Sequence, residues 1–154
     1  MTLKKIKFTL LDKNAKLPNY AHDDDAGFDI YSNESVVLKK GEYKAISTGI
    51  SSEIPKGFFV SFRDKSGLAF NFGLHVMGGV IDAGYRGEWK IIMVNLGKKS
   101  YKFESGDKVA QGILQIVPHA NIVKSGNLSK SERGKGGFGS TGKKWQKDIH
   151  SINI

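Results

Sequence analysis

No cysteine occurs among the 154 residues, which excludes a disulfide framework and a thiolate metal site. Long apolar runs are missing too. After MTLKK the N-terminus carries only a short alternating stretch, too short and too broken for a signal peptide or a membrane span. It reads as the first strand of a cytoplasmic protein. No stretch of a dozen residues shows an apolar stripe at helical period. His22, His75, His119 and His150 lack the spacing of metal ligands. Arginine is scarce, with Arg63, Arg86 and Arg133 standing against 21 lysines. A chain that otherwise uses lysine keeps arginine where a planar, bidentate donor is wanted, as at phosphate or carboxylate.

What is present describes one small domain. The length allows a modest core, and 39% apolar with 25% charged residues is a globular composition. A net charge of +9 raises the question of nucleic acid, since clustered lysines neutralise phosphates. Here the lysines are scattered in runs no longer than two and no nucleic-acid signature accompanies them. They read as a soluble surface.

The dominant hydrophobic period is two. Ile6, Phe8 and Leu10 alternate with lysines and threonine, and Phe58, Val60 and Phe62 alternate with Phe59, Ser61 and Arg63. Trp89–Asn95 and Val109–Val117 are apolar on both faces, as central strands are. Turn signals separate these runs at 39–43, 54–58, 96–100 and 104–108. Many short strands without intervening helices predict an all-β sandwich or jelly roll. Only Ser66–Phe70 suggests a brief helical turn. Composition shifts near Asn127, so residues 1–128 are expected to form the β domain and 129–154 a C-terminal arm. From Ser129 to Lys144 there are five glycines and little apolar besides Phe138. Such a segment cannot be ordered by a core of its own.

Several segments carry chemistry, each beside an ordinary structural reading. The arm matches the glycine pattern of dinucleotide loops and nearly that of a P-loop. Both require a strand before and a helix after, and the polar surroundings exclude them. Arg133, Phe138, Ser140 and Thr141 nevertheless form a set able to pair with phosphate and stack on a base. In GVIDAGYRGEW (79–89), Ala83–Gly84 predicts a tight hairpin with Asp82 at its shoulder and Tyr85 just past it. Asp82 is either a turn former or a carboxylate that aligns a water beside a phosphoryl centre. In RDKSGLA (63–69), Lys65, the Ser66 hydroxyl and the Gly67 N–H can cradle phosphate oxygens. Asp23, Asp24, Asp25 and Asp29 cluster in HDDDAGFDIYS (22–32), a pattern met more often in solvated loops than at metals.

Taken in order, AGFDIYS (26–32), RDKSGLA (63–69), GVIDAGYRGE (79–88), GDKVAQGIL (106–114) and RGKGGFGSTG (133–142) resemble the five motifs of the trimeric dUTPases over nearly the whole chain. The resemblance implies a jelly-roll-like subunit, a homotrimer with three sites between subunits, and Mg²⁺-dependent cleavage of dUTP to dUMP and pyrophosphate. Such an activity keeps uracil out of DNA and supplies dUMP for thymidylate synthesis. It also implies roles for residues. Asp82 orients the water that attacks the α-phosphorus, and Tyr85 packs beneath the deoxyribose. The backbone at Gly79, Val80 and Ile81 reads uracil, with Lys90 a weaker candidate. Lys65, Ser66, Gly67 and Gln111 take the phosphates. Arg133, Phe138, Gly139, Ser140 and Thr141 close over the substrate. Mg²⁺ rides on the triphosphate and water, with Asp29 reached through water. The chain departs from the family at Lys65, where arginine is usual, and Arg63 is a candidate to share that role. Two other readings stand beside this one. A dCTP deaminase shares the scaffold, but its glutamate falls here on Ile92. A catalytically idle nucleotide-binding regulator is the third.

Overall fold

A computed structural model describes residues 4–137. They divide into a β unit up to His119 and a second unit beginning at Ala120. Eleven strands and one helix make up the regular structure of the described residues.

Every strand pairing is antiparallel, joining elements far apart in sequence. β1 (Lys7–Leu10) pairs with β5 (Ile50–Glu53). β3 (Val36–Leu38) pairs with β10 (Tyr101–Phe103). A four-stranded sheet runs β2 (Phe28–Tyr31), β11 (Lys108–Ile116), β6 (Phe58–Arg63) and β8 (Val80–Asp82). A three-stranded sheet runs β4 (Tyr43–Ser47), β9 (Lys90–Asn95) and β7 (Leu74–Met77). This is the all-β architecture that the period-two pattern predicts. β9 and β11 are central, as their apolar content implied. β9 nonetheless buries only one face fully, through Ile91 and Met93, and leaves Ile92 39% exposed.

The core gathers around Trp89, which is fully buried with Ile30, Leu38, Ile46, Val60, Ile91, Phe103 and Val109. Phe8 meets the Trp89 ring edge-on at 5.2 Å, and Phe62 packs against it at 5.5 Å. Trp89 therefore ties β1 and β6 to the segment leading into β9. Truncating such a side chain to alanine typically costs about 3–5 kcal/mol.

α1 spans Ser66–Phe72, longer by two residues than the sequence suggested. It stops at Gly73, whose φ of 69° is left-handed and whose N–H closes on the Ala69 carbonyl.

The expected hairpin at Ala83–Gly84 is not formed. A turn is there, with the Tyr85 N–H on the Asp82 carbonyl at 3.0 Å. The strands on either side then part: β8 pairs with β6, and β9 pairs with β4 and β7. The buried Trp89 explains the divergence, because its N–H bonds the Ile50 carbonyl and draws the chain away from β8. In the second unit, residues 120–137 contain no strand or helix. No helix among the described residues is long and apolar enough to cross a membrane.

Candidate active site

One cavity of about 640 Å³ opens between residues 21–29, residues 65–72, and Lys108 and Gln111 of β11. Asp29, on β2, has a side chain only 5% exposed, yet both carboxylate oxygens meet lysines. Lys65 Nζ donates to Oδ1. Lys108 Nζ lies 2.5 Å from Oδ2, in a charge contact outside hydrogen-bond geometry. Burial is the largest influence on Asp29 and opposes its ionisation. The contacts with Lys108 and Lys65 together outweigh it and hold the carboxyl below the usual aspartate range. The same contact raises Lys108. Lys65 precedes α1 without capping it, so the N–H groups of Ser66 and Gly67 have no partner within the helix. Gln111 donates to the Asp64 carbonyl at 2.8 Å. Gly27 makes room for it, since a Cβ there would stand 2.7 Å from Gln111 Oε1.

A second, less polar cleft of about 380 Å³ lies along β8 and β9. Phe62, Met77, Gly79, Val80, Ile81, Asp82, Tyr85, Lys90 and Ile92 line it. Gly79 has a φ of 99° and accepts from the Phe62 N–H at 2.7 Å. A side chain at Gly79 would also meet Phe62 Cβ at 2.9 Å, so only glycine serves there. The Tyr85 hydroxyl donates to the Glu88 carbonyl at 3.0 Å, and a Cβ on Gly87 would collide with its phenol. Glu88 is itself held by the Ser47 hydroxyl and the Gly49 N–H, with Lys90 at 3.6 Å. Val80 is 63% exposed and Met77 40%. An apolar wall this open is suited to a ligand or a partner surface.

The sequence candidates thus fall into two groups. Asp29, Lys65, Ser66, Gly67 and Gln111 line the first cavity, while Gly79, Val80, Ile81, Asp82, Tyr85 and Lys90 line the second. Arg133 lies in the second unit, where its Nε donates to the Gly136 carbonyl at 2.9 Å. Phe138, Gly139, Ser140 and Thr141 lie outside the described residues. Arg63 lines neither cavity; it faces another recess with His75 and Gly78. Arg86 serves the fold, donating to the carbonyls of Ala83 at 2.7 Å and Tyr85 at 3.0 Å. Neither arginine lines either of the two cavities. Asp25 also lines the first cavity, although its acidic cluster reads as a solvated loop, and two further charged residues were missed: Lys108 and Glu88. Each stands inside a quoted motif, GDKVAQGIL and GVIDAGYRGE, and that placement was the available signal.

The dUTPase family model matches residues 13–142. The chain belongs to the dUTPase family. Among curated dUTPases (deoxyuridine 5'-triphosphate nucleotidohydrolases), the protein of Clostridium tetani is 48% identical over 93% of this chain and all of its own length. That of Clostridioides difficile is also 48% identical, over 89% of this chain and 97% of its own. Among solved structures, a Staphylococcus bacteriophage 80alpha dUTPase mutant with dUpNHpp superposes with a TM-score of 0.84 at 30% identity. It covers 90% of this chain and 98% of its own. A D95N dUTPase from phage phi11 of S. aureus, described as coordinating a structural Mg(II) ion, reaches 0.75 at 27% identity, covering 80% and 98%.

Proposed function

We propose that this dUTPase-family chain hydrolyses dUTP to dUMP and pyrophosphate in the cytoplasm, through water attack on the α-phosphorus. The carrying observation is the division of labour between its two cavities. One is rich in donors and suits a polyphosphate: Lys65, the Ser66 hydroxyl, free N–H groups at the start of α1, and Gln111. The other has an apolar wall, a backbone freed by Gly79, and Asp82 and Tyr85 at its edge, which suits a base and a sugar. Asp82 orients the attacking water. Tyr85 lies under the deoxyribose and leaves no place for a 2′-hydroxyl. The backbone from Gly79 to Ile81 reads the donor–acceptor edge of uracil, because a mismatched buried polar group costs about 1–3 kcal/mol. Arg133, Phe138, Gly139, Ser140 and Thr141 are assigned to the substrate by motif resemblance alone. Phosphoryl transfer needs positioning and charge neutralisation more than covalent help, and these groups supply both.

Magnesium fits this donor set as an ion carried by the substrate. No cluster of three or more His, Asp or Glu able to cage a cation exists among the described residues. Mg²⁺ favours phosphate oxygens and retained water over all-protein cages. When bound it would neutralise triphosphate charge, and Asp29 would be reached through water.

Neither cavity alone contains a whole site. Residues from segments 26–32, 63–69 and 106–114 share the first, while those from 79–88 stand apart in the second. A closed three-fold ring, in which the first cavity of one copy meets the second cavity of the next, joins them. Ile92 supports this chemistry over deamination. It lines the cleft with Asp82, and a hydrocarbon there can shuttle no proton. The test is incubation of the full chain with dUTP, dCTP, UTP and dTTP, with Mg²⁺ or EDTA. Rapid pyrophosphate release is expected from dUTP with Mg²⁺ alone. Comparable turnover of UTP contradicts the role of Tyr85, and deoxyuridine nucleotide from dCTP favours the deaminase.

A further inference from the structure

We infer that Lys108 is a positioning residue, a standing counterion for Asp29 that frees Lys65 to engage the triphosphate. The inference rests on the reading of the larger cavity as the phosphate side.

Asp29 is buried, and both of its oxygens are occupied by lysines from different elements. Lys65 lines the cavity and is also bonded to Asp29. Its ammonium has donors to spare, but a phosphate that draws Lys65 into the cavity competes with Asp29 for the same positive charge. Were Lys65 the sole partner, its departure would leave a buried carboxylate unpaired, which is strongly unfavourable, and would leave it facing an incoming polyanion. Lys108 removes that obstacle. Its charge stays at Oδ2 while Lys65 moves.

The backbone of β11 is shaped for this arrangement. Lys108 and Gln111 are three residues apart, and in a regular strand such residues point to opposite faces. Both nonetheless line the same cavity. The register of β11 against β2 slips between Lys108 and Ala110, and Val109 and Ala110 are consecutively buried. A bulge of this kind re-aims a side chain, here turning Lys108 onto Asp29 without displacing Gln111. Lysine at position 65 adds to the need. Its ammonium is a compact point charge, whereas a guanidinium offers a planar fork with donors on two edges.

The test is a double-mutant cycle on the full-length protein, read by calorimetric binding of inorganic pyrophosphate in EDTA so that metal plays no part. K108M is expected to weaken pyrophosphate about tenfold, the usual scale of coupling between contacting side chains. It should raise KM for dUTP by a similar factor with kcat little changed, and K108R should restore both. In the D29N background nothing holds Lys65, so D29N and D29N/K108M should bind pyrophosphate about equally. That comparison leaves no buried carboxylate alone and stays readable should K108M fold poorly. Unchanged binding by K108M overturns the inference. So does an equal loss in both backgrounds, which would mean that Lys108 contacts phosphate itself. A wild-type protein that hydrolyses dUTP but binds no pyrophosphate removes the phosphate reading of this cavity, whatever the variants do.

Discussion

Asp82 and Tyr85 illustrate how a local constraint becomes a catalytic assignment. Asp82 is the last residue of β8 and exposed, with the Tyr85 N–H anchored on its carbonyl. Its carboxylate is therefore placed by the backbone and left available to water. Asp82→Asn keeps the shape and removes the charge. Turnover should fall at least ~10²-fold, the scale of general-base catalysis, while a non-hydrolysable dUTP analogue still binds. Near-normal turnover in steady-state assays would remove Asp82 from the mechanism. Tyr85 depends on a neighbour, because its phenol occupies the space that a Gly87 side chain would take. Gly87→Ala should push the ring aside and loosen discrimination against UTP about tenfold, of the order that one small group controls in a pocket. The ratio of kcat/KM for dUTP and UTP measures this. Most residues that line the two cavities with polar groups were legible at this scale because short motifs name them. Their counterions were not. Lys108 reaches Asp29 only through a bulge, and no spacing rule on a regular strand places those two side chains together.

Among the elements, strand existence was legible and strand pairing was not. Alternation marked β1 and β6, since a half-buried strand must alternate, and runs apolar on both faces marked β9 and β11. The same alternation says nothing about partners. It led to a hairpin across Ala83–Gly84 where the strands part into different sheets. Glu88 helps to hold that parting. It sits in the crossing segment and bonds the Ser47 hydroxyl and the Gly49 N–H between β4 and β5. Burial, the largest influence on Glu88, opposes ionisation, but the bonds from Ser47 and Gly49 and the nearby Lys90 outweigh it. The carboxyl is held below the usual glutamate range. A folded-state pKa below the unfolded one stabilises above the unfolded value of about 4.3 and loses that stabilisation as pH falls through the folded value. Glu88→Gln should accordingly lower Tm at pH 7, and the gap to wild type should shrink below about pH 4. A gap that stayed constant from pH 7 to pH 3 would show that charge at Glu88 plays no part.

For the whole molecule the proposed function turns on two separate cavities on one chain, one lined by Lys65 and Gln111 and the other by Asp82 and Tyr85. In the second unit, Ala120 to Gly137 is exposed and without regular structure. Truncation after Ser131 should leave assembly and Tm nearly intact and reduce kcat by orders of magnitude, measured by light scattering, calorimetry and pyrophosphate release. Assembly itself is tested by complementation. Lys65→Met removes a phosphate contact from the first cavity and Asp82→Asn removes the water-orienting carboxylate from the second, so each homotrimer should be nearly inactive. Suppose the two are dissociated together, mixed in equal amounts and reassembled. Where a site joins the first cavity of one copy to the second of the next, each half is intact with even odds, and about a quarter of the sites recover both. Where both halves of a site come from one chain, no mixture contains an intact site, because every chain carries one lesion. Activity rising toward about a quarter of wild type on mixing therefore requires shared sites. Activity that stays at the level of the unmixed variants, with scattering showing mixed trimers, would mean that each chain works alone.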